Sequence, residues 1–226
     1  MEAGRVPRDP DMGARREADV APAPDPTGGR SAGMWAPADP GPLGLAAFAG
    51  TTFVLSIFNA DLVSPRGQGV VLGLAFAYGG LAQLLAGMWE FRTGNTFGAV
   101  AFSSFGAFWI SFFVLVQVDA KSIAAGGASV FNHSLALYLY AWAIFTTYMF
   151  VASLRTTAVV ALVFLLLAAT FWLLAIGAAG AHVNVTKIGG YVGLATAAAA
   201  WYGSFAAVIN STFGKVVAPV FPLRRV

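Results

Sequence analysis

Residues 156–178 read TTAVVALVFLLLAATFWLLAIGA, an uninterrupted run without a single charge. At a rise of about 1.5 Å per residue, a helix of that length covers the roughly 30 Å of a bilayer's hydrocarbon core. The run is apolar on every side, so lipid is the solvent that suits it and a helix is the form that satisfies its backbone there. Outward from this stretch, comparable runs lie at 43–63, 68–91, 96–118, 133–153 and 186–210. The polar residues gather in the breaks: Asp61, Pro65, Arg66 and Gly67; Arg92 to Asn95; Asp119 to Asn132; Arg155; and Ala179 to Val185. The pattern predicts an all-α membrane protein, a bundle of six transmembrane helices over residues 43–210.

Composition points the same way, with 58% hydrophobic and 10% charged residues, where soluble domains carry about 25% charged residues. The absence of cysteine excludes disulfides and thiolate metal sites, and His133 and His182 stand without companion ligands, so neither metal nor cofactor is expected. The formal charge of +3 is spread over span ends and forms no basic helix, which argues against a nucleic-acid partner. Residues 1–42 hold eight of the eleven prolines and seven of the ten acidic residues. That composition predicts a disordered tail, and it lacks the apolar core of a secretory signal. Residues 211–226 read as a short basic tail.

With the amino terminus in the cytoplasm, ten of the thirteen Lys and Arg lie inside, while Arg66, Lys121 and Lys187 lie outside. Counting only Arg30 from the distal tail still leaves six against three, the sign that the positive-inside rule requires. Both termini are therefore expected to be cytoplasmic, with the chain in the cytoplasmic (inner) membrane.

Small residues recur along the spans: Ala75, Gly79 and Gly87 in the second, Gly98 and Gly106 in the third, and Gly189, Gly193 and Ala197 in the sixth. Such stripes let helices approach closely. Phe48, Thr52, Leu55 and Asn59 share one face of the first span. A lipid-facing stripe has no use for Thr and Asn, so this face is expected to point into protein or pore. Ser103 and Ser104 beside Phe105 give the third span a similar mixture, which serves either a pore lining or bonds between helices. Gln83 and Glu90, seven residues apart, share a side of the second span. Glu90 reads either as a proton relay or, beside Trp89 and Arg92, as an interfacial charge, and the second reading is favoured.

Two stretches carry more than fold. The first is Asp39-Pro40-Gly41-Pro42-Leu43-Gly44-Leu45, where Asp39 can cap backbone amides and the prolines suit a first helical turn. The second runs from Tyr78-Gly79-Gly80-Leu81-Ala82-Gln83 through Glu90-Phe91-Arg92-Thr93-Gly94-Asn95-Thr96-Phe97-Gly98. Together they resemble the signatures of the acetate uptake transporter family, also called the succinate-acetate permease family. The likeness extends from Asp39 to about Gly214. It departs at Asp39, where the family usually has Asn, at Gly41 for Ala, and at Phe58 where bacterial relatives often have His.

The resemblance implies a narrow hydrophobic constriction made by an aromatic residue on the first helix, a tyrosine on the third and a leucine on the fifth. Those positions correspond to Phe48, Phe105 and Leu167, so Phe105 lacks the family's hydroxyl. It also implies a homohexamer with one path per subunit, passage of acetate or a similar small monocarboxylate as anion channel or proton symporter, and no covalent chemistry. A protonated acid loses far less on leaving water than a carboxylate does, which suits such a gate. Thr52, Asn59, Gln83, Ser103 and Ser104 are the candidate polar pore-lining groups. Two rival readings stand beside this one: a channel for ammonium or another small solute, and a scaffold in the membrane that transports nothing.

Overall fold

The computed structural model describes Met1 and residues 37–223. The proline-rich tail expected over residues 1–42 therefore lies largely outside the described residues. Six helices long and apolar enough to cross a membrane follow one another: α1 Gly41–Asn59, α2 Val70–Thr93, α3 Thr96–Ala124, α4 Ala128–Ser153, α5 Ala158–Ala179 and α6 Val183–Phe213. The expected number of spans is found, and the differences lie at their ends. Helix α1 begins inside the stretch read as tail: Pro42 lacks an amide that the first turn would leave unpaired, and the Asp39 carboxylate accepts the Gly41 N–H at 2.8 Å. The long loop expected between the third and fourth spans shrinks to a turn at Gly126 and Gly127, where Gly127 takes the left-handed side of φ at 101°.

Two π-helical segments, Ala77–Ala82 in α2 and Leu115–Asp119 in α3, widen the local turn in ways that no sequence periodicity announces. In the first, Gly80 permits the widening, since a Cβ there would lie 2.5 Å from the Ala75 carbonyl oxygen.

Around the bundle, α1 packs on α6 and on α2, α6 on α5, α5 on α4, and α2 on α3. The ring closes where α3 meets α4 through Phe105 against Phe145, at a centroid separation of 5.4 Å, and through Ser111 and Tyr138 hydroxyls 2.8 Å apart. Small residues sit at close crossings: Gly193 on Ser56 and Gly87 on Ser103 come from the stripes read in the sequence, while Gly190 on the Ala60 backbone and Gly177 on Thr186 do not. Thr170 and Thr196 join α5 to α6 with hydroxyls 3.3 Å apart. The outer faces carry Leu85, Ile144, Leu162 and Phe205, all exposed and apolar, as a lipid-facing surface requires.

The carboxyl-terminal stretch is not a loose tail over its described part. The Asn210 side chain accepts the Val217 and Ala218 N–H groups at 2.7 and 2.9 Å and donates to the Ala218 carbonyl at 2.8 Å. Tyr202 donates to the Pro219 carbonyl at 2.8 Å. Beyond it, the Ala158 N–H donates to the Phe221 carbonyl at 2.8 Å and the Leu223 N–H to that of Thr156 at 2.9 Å. The strap thus satisfies one of the orphan amides at the start of α5. Since Ser204 also donates to the Pro42 carbonyl at 2.7 Å, the start of α1 and the second half of α6 are tied at one end of the bundle.

Candidate functional site, a path in two chambers

The helix ring encloses a cavity of about 550 Å³ on the side of the α1–α2 connection. Helix α1 contributes Phe48, Thr52, Leu55, Ser56 and Asn59; α3 contributes Phe108, Trp109 and Phe112; α5 contributes Leu167, Thr170, Phe171 and Leu174. Four of these are the stripe read at spacings of four, three and four along the first span. Asp61 and Lys187 stand at the rim and form a salt bridge of 2.7 Å. Among the described residues that line the chamber, Lys187 is the only Lys or Arg and Asp61 the only carboxylate. Asp61 adopts a left-handed backbone at φ 57°, which turns its carboxylate back toward the start of α6.

Toward the opposite end lies a second void of about 20 Å³, lined by Leu45, Phe48, Gln83, Ala101, Phe102, Phe105, Val163, Phe164 and Leu167. Only Phe48 and Leu167 border both chambers. Phe105 backs them from the inner side, its ring 5.9 Å from Phe48, 6.0 Å from Phe164 and stacked on Phe171 at 6.4 Å. The structure brings Phe48, Phe105 and Leu167 together in the apolar packing between the two cavities. Phe164 and Phe171 belong to it as well, and so does Phe108, edge-on to Phe171 at 5.2 Å. These three were not singled out in the sequence, because the α5 run is apolar on all sides and Phe108 sits among other aromatics.

The polar candidates divide. Thr52 and Asn59 line the outer chamber and Gln83 the inner void. Ser103 and Ser104 line neither cavity; Ser103 packs on Gly87 of α2, which suits the alternative of contact between helices. Thr52 Oγ1, Gln83 Oε1, Ser103 Oγ and Trp109 Nε1 are all buried without a hydrogen-bond partner. An unsatisfied buried group costs roughly 1–3 kcal/mol, so each of these atoms gains by any polar partner that reaches it.

The family-motif residues build the far end of the path. Gly44 packs against Phe102, Leu45 lines the inner void and Leu43 faces outward. Asn95 caps α3 by accepting the Gly98 N–H at 3.1 Å, just after Gly94 closes α2 at φ 80°. Glu90, read as interfacial, lies three residues before the end of α2 and is 2% exposed, packed against its neighbours, with the Thr93 hydroxyl donating to Oε2 at 3.1 Å. The starts of α1 and α3 close over it through Gly41 and Gly98, where a Cβ would lie 3.5 and 2.7 Å from Oε1. Among the described residues no cluster of metal-ligating side chains occurs.

Comparison with known proteins adds to this geometry. The family model described as GPR1/FUN34/yaaH family matches residues 30–225. Acetate permease A of Emericella nidulans is 44% identical over 195 residues, covering 81% of this chain and 65% of the permease, so the chain spans about two thirds of that relative. The succinate-acetate/proton symporter SatP of Escherichia coli K12 is 35% identical over 81% of this chain and 95% of its own. Ammonia transport outward protein 2 of Saccharomyces cerevisiae is 40% identical over 82% of this chain and 67% of its own. Among solved structures, that of the bacterial acetate channel SatP superposes with a TM-score of 0.73 at 34% identity, covering 81% of this chain and 99% of the channel. By its matched length and these relatives, the chain is a multi-pass membrane protein of the GPR1/FUN34/yaaH family.

Proposed function

We propose that this protein carries acetate and similarly small monocarboxylates across the cytoplasmic membrane, with both termini inside and six copies forming the assembly. The observation that carries this reading is the pair of chambers meeting only at Phe48 and Leu167. Lys187 at the outer rim offers a carboxylate its one cationic contact, in exchange with Asp61. Deeper in, only neutral polar groups are available, and at the partition none. A carboxylate stripped of water there loses several kcal/mol, whereas the protonated acid presents a methyl end and one neutral carboxyl group. The crossing species is therefore the acid, equivalent to carboxylate plus proton, and the partition limits its length.

Supporting the substrate class are the relatives named as acetate permease and succinate-acetate/proton symporter. A second reading rests on the relative named for ammonia transport, since an apolar partition between neutral polar groups would also pass uncharged ammonia. A scaffold would have no use for a 550 Å³ chamber leading to a shared partition. The test is a chain-length series in proteoliposomes of purified protein. Initial rates above protein-free vesicles should fall from acetate through propionate to butyrate; equal rates along the series would remove the partition from the account.

A further inference from the structure

The smaller void touches Gln83, the first of a line of polar groups along the α2–α3 seam. Gln83, Gly87 and Glu90 follow at spacings of four and three on one face of α2, and Gln83 and Glu90 are 1% and 2% exposed. Gly87 has no side chain, and the Ser103 hydroxyl of α3 fills its place on that face, so close that a Cβ on Gly87 would overlap it. Gln83 Oε1 and Ser103 Oγ are both buried and unpartnered. Along the helix axis the three α2 positions rise by about 6 and 4.5 Å from one to the next, and bound water bridges polar groups that do not touch directly. The void at Gln83, about 20 Å³, exceeds the roughly 10–15 Å³ that one water needs.

We propose that the α2–α3 seam from Gln83 through Ser103 to Glu90 is a proton branch of the transport path, which takes the acid's proton after the acid has crossed the partition. This rests on the reading of the path as a carboxylic-acid conduit. A water held by donating one hydrogen to Gln83 Oε1 accepts the acid's O–H. The acid's O–H bond breaks as that water takes the proton and passes its other hydrogen on to the Ser103 hydroxyl, whose own proton moves on to the Glu90 carboxylate, so that each relay group gains one proton and gives one up. The freed carboxylate leaves through the inner chamber, and Glu90 passes the proton to water at its outer edge. That edge exists: Asp39 and Thr93 beside Glu90 are both exposed. The groups facing Glu90 are Asp39 from the approach to α1, Thr93 on its own helix, and Asn95 at the start of α3. Arg92 has interactions of its own; the other carboxylate beside Glu90 is Asp39, which is exposed.

The experiment uses the full chain in proteoliposomes with the voltage clamped by potassium and valinomycin. Two quantities are read: exchange of labelled for unlabelled acetate at equal pH, and acidification of the lumen during net acetate influx, each corrected for protein-free vesicles. Glu90→Gln should slow protein-dependent acidification about tenfold while exchange stays within about twofold, and Glu90→Asp should recover part of it. Ser103→Ala, which removes one hydroxyl, should show the same split and decides the matter if Glu90→Gln does not assemble. Unchanged acidification in these variants, or exchange and acidification falling together, overturns the proton branch. Wild-type acetate influx without acidification overturns it too while leaving the acetate path standing; no wild-type acetate flux at all removes the underlying reading instead.

Discussion

Replacing Leu167 by Ala should let lactate pass far better relative to acetate. Leu167 is 4% exposed and is one of the two side chains that separate the chambers. The void behind it, about 20 Å³, has room for little more than one water, so an acid of four or more heavy atoms must displace the packing around Leu167 to pass. Lactate carries two more heavy atoms than acetate, and forcing extra atoms into a packed ring costs about 1–3 kcal/mol. Leu167→Ala takes away three carbons, more than lactate adds. Relieving about 1.4 kcal/mol of that strain corresponds to a tenfold rise in the ratio of lactate to acetate initial rates. The same change costs about 2–5 kcal/mol of stability if the bundle does not collapse around the gap, so the ratio is measured only on protein that elutes as wild type does. An unchanged ratio in such protein refutes the placement of the partition at Leu167.

Phe105→Tyr should leave the size limit as it is, because the ring stays in place, while the new hydroxyl shifts the acetate rate; a relaxed chain-length series would contradict this. Asn95→Ala removes the cap on α3 and should lower stability by about 1 kcal/mol, read as an earlier thermal unfolding transition in detergent, with substrate preference unchanged. Asn210→Ala strips three hydrogen bonds from the carboxyl-terminal strap and should release it to protease well before the bundle is cut. Gly190→Ala places a Cβ against the Ala60 backbone and should abolish assembled protein, whereas Gly73→Ala, with open space around it, should not.

The six spans were legible because the hydrocarbon core sets a length that few other structures need. Their ends were less so: α1 begins two residues early through Asp39 and Pro42, and the third connection closes on Gly127, both local cap and turn effects that hydropathy averages away. Within the site, Phe48, Thr52, Leu55 and Asn59 could be read because polar groups interrupt an apolar helix at helical spacing. Helix α5 gave no such contrast. Phe164, Leu167 and Phe171 share its inner face, yet every other face is apolar too, so only the family likeness selected Leu167 and nothing selected its neighbours. Lys187 and Asp61 look like ordinary loop charges until the fold brings them together at the chamber rim. The burial of Glu90 was not legible, because Trp89 and Arg92 beside it suggest only an interface, while its cover comes from Gly41 and Gly98 of two other helices.

The account stands most directly on initial uptake of labelled acetate and of labelled methylammonium, measured side by side in proteoliposomes and corrected for protein-free vesicles. It requires protein-dependent acetate uptake that rises as external pH falls toward the acid's own pKa, with little or no uptake of methylammonium. Methylammonium uptake without acetate uptake, or neither above the protein-free level, would contradict it.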